Sequence, residues 1–157
     1  MKVLVIDDKT ENKKSAEETL KAMGHSVTVM DDCEMAYAFL LKHGRDCQFD
    51  AVLTDLWMPG PSGTSAFGVG QAKNCVSVPM PVGMMFALMA INLGVKIVAI
   101  VTDMSHHCDP LTAGLEKIEA LGTRILCYNS QTNHTEEGAK DWGNILNHII
   151  VYIPEQA

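Results

Sequence analysis

Residues 51–63 read Ala51-Val52-Leu53-Thr54-Asp55-Leu56-Trp57-Met58-Pro59-Gly60-Pro61-Ser62-Gly63, an apolar run that ends on a carboxylate and breaks into a proline and glycine turn. The same device opens the chain, where Val3-Leu4-Val5-Ile6 runs into Asp7-Asp8. Ile97 to Val101 and Ile125 to Cys127 are further runs of aliphatic and β-branched residues without polar alternation, the pattern of parallel strands covered on both faces. Ser26 to Met30 alternates Val27 and Val29 with polar neighbours, as an edge strand does. Helix-length segments lie between these runs. Thr10 is expected to cap a helix to about Met23, closed by Gly24, and Asp31 with Glu34 forms a capping-box pattern for a helix to about His43, closed by Gly44. Asp109-Pro110 reads as cap plus first-turn proline for a helix ending near Leu121-Gly122, and Thr135-Glu136-Glu137 as the start of a last helix through Ile150. Alternation of strand and helix implies an α/β, doubly wound parallel sheet of five strands, with the strand C-terminal ends on one edge.

The 157 residues fit one domain, 1–157. A net charge of −7 and the absence of any Lys/Arg cluster denser than Lys13-Lys14 argue against nucleic acid and anionic membrane as partners. Five cysteines without a CxxC pair suit a reducing, cytoplasmic compartment, and the first apolar run is too short for a signal peptide. The uncharged stretch Asn74 to Val95 contains Pro79, Pro81 and Asn92, and its apolar part falls short of the roughly 20 residues a bilayer requires. Gly60 to Pro79 is rich in Gly, Ser and Pro and shows no helical period, so it reads as a functional insertion at about 60–79.

Acids stand at or just beyond three strand ends: Asp7 and Asp8, Asp55, and Asp103. Converging on one crevice, they repel unless a cation offsets them, and a hard divalent ion such as Mg²⁺ suits carboxylates, a backbone carbonyl and waters. A lone Asp in such a place more often caps a turn; acids at three strand ends together favour a site.

These stretches resemble the response-regulator receiver domain. Val3 to Asp8 looks like its first strand and acidic pair, Asp55-Leu56-Trp57-Met58-Pro59-Gly60 with Gly63 is similar to its phosphoacceptor segment, and Val98 to Thr102 to its fourth strand. The resemblance implies a flavodoxin-like (CheY-like) fold with strand order 2-1-3-4-5. It implies a stand-alone response regulator in a two-component phosphorelay, with Asp55 as phosphoacceptor and Thr102 contacting the phosphoryl group. Asp7, Asp8, Asp55 and the backbone carbonyl of Trp57 would bind Mg²⁺. A histidine kinase or phosphotransfer protein would be the partner, and no enzymatic turnover beyond self-phosphorylation is implied.

Two departures qualify it. The Lys-Pro pair usual at the end of the fifth strand is replaced by Leu126-Cys127-Tyr128-Asn129-Ser130, so the ammonium that meets the phosphate is expected to be missing, with Asn129 or Tyr128 as weaker neutral donors. Asp103 adds negative charge after Thr102, where small residues are usual. The alternative reading is therefore a pseudo-receiver, a phosphorylation-independent interaction module. A Mg²⁺-dependent phosphatase is disfavoured because Asp7-Asp8-Lys9-Thr10 lacks an acid two places after the first Asp. His106-His107-Cys108-Asp109 invites a Zn²⁺ reading, but no second cluster completes a tetrahedron; a loop in which Asp109 caps the next helix is preferred, with His106 or His107 as a substitute cation for phosphate. The helix at about 80–93 is apolar on nearly every side, so it is expected either to lie under the insertion or to form a homodimer surface.

Overall fold

The computed structural model describes residues 1–43, 49–60, 78–105, 107–120 and 124–152. The helix stops read at Gly44 and Leu121-Gly122, His106 and the body of the insertion, 61–77, lie outside the described residues. A five-stranded parallel sheet forms the centre. Its strands are β1 (Lys2–Ile6), β2 (Ser26–Met30), β3 (Ala51–Asp55), β6 (Ile97–Thr102) and β7 (Ile125–Asn129), in the order β2-β1-β3-β6-β7. Counted within the sheet this is 2-1-3-4-5, the expected flavodoxin-like order.

Every apolar residue of β1 is buried because successive side chains enter different cores. Leu4, Ile6, Val52, Val98 and Ile100 face α2 (Cys33–His43), α3 (Gly83–Asn92) and α4 (Pro110–Ala120) through Ala36, Leu40, Phe86, Ala87, Ala90 and Leu115. Val3, Val5, Ala51, Leu53, Ala99 and Val101 face α1 (Thr10–Ala22) and α5 (Trp142–Tyr152) through Ala16, Leu20, Trp142, Ile145 and Ile149. With about 1.5–3 kcal/mol for each large aliphatic side chain buried, this two-sided packing dominates the sheet's stability.

Helix starts differ from the sequence reading at three places. Thr10 is the first helical residue and not the cap; Lys9 holds the cap position and makes no side-chain cap bond. Asp32 rather than Asp31 caps α2, accepting the Met35 N–H at 2.8 Å, because Asp31 is drawn off into an ion pair with Lys13. The segment beginning at Thr135 is a turn. The Thr135 N–H donates to the Ala139 carbonyl at 2.7 Å, Gly138 sits at φ +85°, and α5 begins only at Trp142, with Asp141 Oδ1 accepting the Asn144 N–H at 3.0 Å. Asp109 does cap α4, accepting from the N–H groups of Leu111 and Thr112.

The insertion is closed at its base. β4 (Met58–Pro59) pairs antiparallel with β5 (Pro79–Met80), and the Gly60 N–H donates to the Val78 carbonyl at 3.3 Å. The apolar α3 that follows is seated on the sheet by Phe86, Ala87 and Ala90, with Met84, Met85, Met89 and Ile91 packed at the core's margin and Leu88 exposed. No described helix is long and apolar enough to cross a membrane.

At the start of α3, Gly83 lies so close to β3 that a Cβ there would collide with the backbone carbonyl of Asp55. A Gly83→Ala substitution must move the helix or the acid-bearing strand end, and is expected to cost about 3 kcal/mol in urea unfolding. Ala at Gly114, where a Cβ would meet open space inside α4, is expected to stabilise by up to about 1 kcal/mol.

Candidate functional site

The strand C-termini bring together Asp7, Asp8 and Asp55, with one carboxylate oxygen from each lying within 4.8 Å of the other two. Asp7 continues β1, its N–H donating to the Met30 carbonyl at 3.0 Å, and Asp55 is the last residue of β3, in register with Val101. Asp7 is fully buried and Asp55 is 4% exposed. Two such carboxylates cannot share a dry pocket without a counter-charge.

That charge is Lys140. Its Nζ donates to Asp7 Oδ2 at 2.9 Å, stands 3.0 Å from Asp55 Oδ1, and donates to the Val101 carbonyl at 3.2 Å, with no exposed surface. The ammonium also lies 5.4 Å from the centre of the Trp142 ring. The expectation of a missing cation is thereby corrected. The end of β7 carries no lysine, but the loop 130–141 that follows it returns one to the pocket. The neutral donors considered in its place turn elsewhere: the Tyr128 hydroxyl meets His148 Nδ1 at 2.8 Å and accepts from Asn133, while the Asn129 amide reaches the Met104 carbonyl. Sequence reasoning missed Lys140 because it placed this residue inside a helix. Gly138, a poor helix residue, and the Asp141-Trp142 cap after it were the available signals.

Asp103 is held at the pocket's rim. Lys9 Nζ donates to its Oδ2 at 2.9 Å, Ser130 Oγ donates to its Oδ1, and His134 Nε2 lies 3.4 Å from the same oxygen. Since β3 lies between β1 and β6, the Lys9–Asp103 pair bridges the two strands flanking Asp55. Burial alone would raise the Asp103 carboxyl, but Lys140 and the bonds from Lys9 and Ser130 outweigh it and hold it at about 2. Asp55 goes the other way: burial, with Asp7 and Asp103 adding, pushes it up to about 6 against the pull of Lys140. Burial and the neighbouring Asp7 also raise Asp8. Burial opposes the charge on Lys140, yet Asp55, Asp7 and Asp103 together favour its ammonium form.

Four carboxylates thus face two ammonium groups, a surplus of two negative charges that one divalent cation would balance. Asp8 Oδ1 is buried without a hydrogen-bond partner, the condition of a ligand atom awaiting a cation. The donor set of hard oxygens fits Mg²⁺. Thr102 is buried beside this cluster on β6, one residue past the partner of Asp55, with its hydroxyl accepting the Met104 N–H at 3.1 Å. Trp57 is half-buried, and its indole N–H donates to Asp109 Oδ2 at 3.3 Å, tying the segment after Asp55 to the cap of α4. His107 and Cys108 are exposed, and the acid cluster is the group of candidate metal ligands among the described residues.

Comparison with solved structures bears on the fold. The non-phosphorylated HemR receiver domain from Leptospira biflexa superposes with a TM-score of 0.58 at 15% identity, over 95% of this chain and 93% of that one. The fold is that of a receiver domain. A response-regulator receiver domain protein from Clostridium thermocellum (TM-score 0.51, 19% identity, 96% of this chain and 94% of that one) and the BeF3-activated DrrB receiver domain (0.51, 17%, 96% and 97%) are likewise similar. No protein-family model matches the chain, and no curated protein matches its sequence.

The raised Asp55 carboxyl fixes a sign. Its folded value lies above the unfolded one, so the folded state holds the extra proton between about pH 4 and 6, and stability is lost as pH rises through that window. Without metal, Asp55→Asn is therefore expected to be more stable than the parent at pH 7, by about 3 kcal/mol, and indistinguishable from it near pH 4. Thermal unfolding in the presence of chelator measures this; equal stability of the two proteins at both pH values would refute it.

Proposed function

We propose that this chain is a response-regulator receiver that accepts a phosphoryl group on Asp55 in a two-component phosphorelay. The observation that carries the reading is the Lys140 ammonium 3.0 Å from Asp55, inside an acid cluster at the strand ends. Phosphoryl transfer asks the protein chiefly for positioning and charge compensation, and both are provided for.

In this reading an Asp55 carboxylate oxygen attacks phosphorus in line. The bond from phosphorus to the donor's leaving atom breaks, that atom keeps the electron pair, and an acyl phosphate forms on Asp55. Lys140 exchanges part of its pairing with the carboxylates for the arriving phosphoryl oxygens. The Thr102 hydroxyl, one residue past the partner of Asp55, offers a donor to another. Asp7, Asp8, Asp55 and the Trp57 carbonyl would hold Mg²⁺, which when bound offsets charge on the transferring group. The donor is a phosphohistidine on a histidine kinase or phosphotransfer protein, or a small acyl phosphate.

Incubation with acetyl phosphate and Mg²⁺ is expected to add one labile phosphate, seen by intact-mass measurement and abolished in Asp55→Asn. Lys140→Met removes a charge-assisted hydrogen bond to the phosphoryl group and is expected to slow its acquisition by about tenfold or more. Absence of an adduct from both acetyl phosphate and a phosphohistidine donor would overturn the proposal in favour of a pseudo-receiver.

A further inference from the structure

Lys140 stands outside the five-stranded sheet, in a loop where an isolated antiparallel bridge joins it to His134. α1 ties it to the pocket. The Lys140 N–H donates to Asn12 Oδ1 at 2.9 Å, its carbonyl accepts from Ser15 Oγ at 2.6 Å, and two residues on the indole of Trp142 donates through Nε1 to the Asn12 carbonyl at 3.0 Å. On its other side the Asn12 amide nitrogen lies 3.0 Å from both Asp7 oxygens. Asn12 is 2% exposed. Its partners also settle its orientation. A carboxylate cannot donate and a peptide N–H cannot accept, so a flipped amide would set acceptor against acceptor and donor against donor.

One rigid planar group therefore joins the peptide that carries the ammonium to the carboxylate that meets it. We propose that Asn12 is a positioning residue for phosphoryl transfer. It holds Lys140 and Asp7 in fixed register so that both reach Asp55 together. The inference rests on the phosphoacceptor reading and adds a residue to it. Its physical basis is that misplacing a catalytic group by about 1 Å costs on the order of a hundredfold in rate, and the Asn12 amide bonds both the peptide of Lys140 and the carboxylate of Asp7.

The test has two readouts. The first needs neither metal nor phosphate: hydrogen exchange of the Lys140 ammonium, followed by NMR in the free protein. In Asn12→Ser, which cannot span both partners, and in Asn12→Ala, exchange is expected to be at least about tenfold faster than in the parent. The second is the rate of phosphate acquisition from acetyl phosphate at saturating Mg²⁺, expected to fall at least about tenfold in both variants. Thr19→Ala serves as the control for a structural role. It sits on the same helix and accepts the Gly143 N–H at 3.1 Å, so its loss lowers the unfolding temperature. It is expected to leave both readouts within about twofold of the parent. Exchange within about twofold of the parent in the Asn12 variants, or an equal acceleration in Thr19→Ala, would overturn the positioning role. If the parent protein takes up no phosphate, the phosphoacceptor reading falls, while the exchange comparison still decides whether Asn12 places Lys140.

Discussion

An ammonium group with no path to water, held between two buried carboxylates, is the constraint around which the rest of the molecule is arranged. Taking such ions out of solvent costs several kcal/mol apiece, and the loss is offset only if geometry and supplementary hydrogen bonds are good. Each surrounding element supplies part of that geometry. The sheet sets Asp7 and Asp55 on neighbouring strands, the N-terminal turns of α1 present Asn12 and Ser15, and the start of α5 lays an indole against the cation.

The two cores divide the labour. The one under α1 and α5 reaches the pocket directly, because Trp142 is both its largest buried side chain and a hydrogen-bond donor to Asn12. The one under α2, α3 and α4 reaches it through backbone contact, where Gly83 lets α3 press against the carbonyl of Asp55. Charge repulsion left over by the acids is thus contained by packing that approaches from both faces of the sheet.

The fold was legible because two-sided burial leaves an unambiguous mark: runs such as Val3 to Ile6 have no polar alternation, and caps such as Asp109-Pro110 are local. Asp7, Asp8 and Asp55 were legible for the same reason, each ending or directly following such a run. Lys140 was not, since its role depends on a fold of the chain back across α1 that no short-range pattern encodes. Thr135 with two glutamates imitates a helix start, and only the left-handed Gly138 three residues on turns the segment instead. The exchange of Asp31 for Asp32 as the cap of α2 has a similar origin. Lys13, the fourth residue of α1, competes for the first of two adjacent acids, and sequence spacing does not reveal that competition.

The small ribbon of Met58–Pro59 and Pro79–Met80 separates two lengths of chain that would otherwise interfere. The excursion is tied off at the Gly60–Val78 bond, and the approach of Gly83 to the Asp55 carbonyl is made on the near side of it. Each doubling of a flexible loop costs only about 0.6 kcal/mol in closure entropy. A change in the number of residues between Gly60 and Val78 is therefore expected to cost the pocket little.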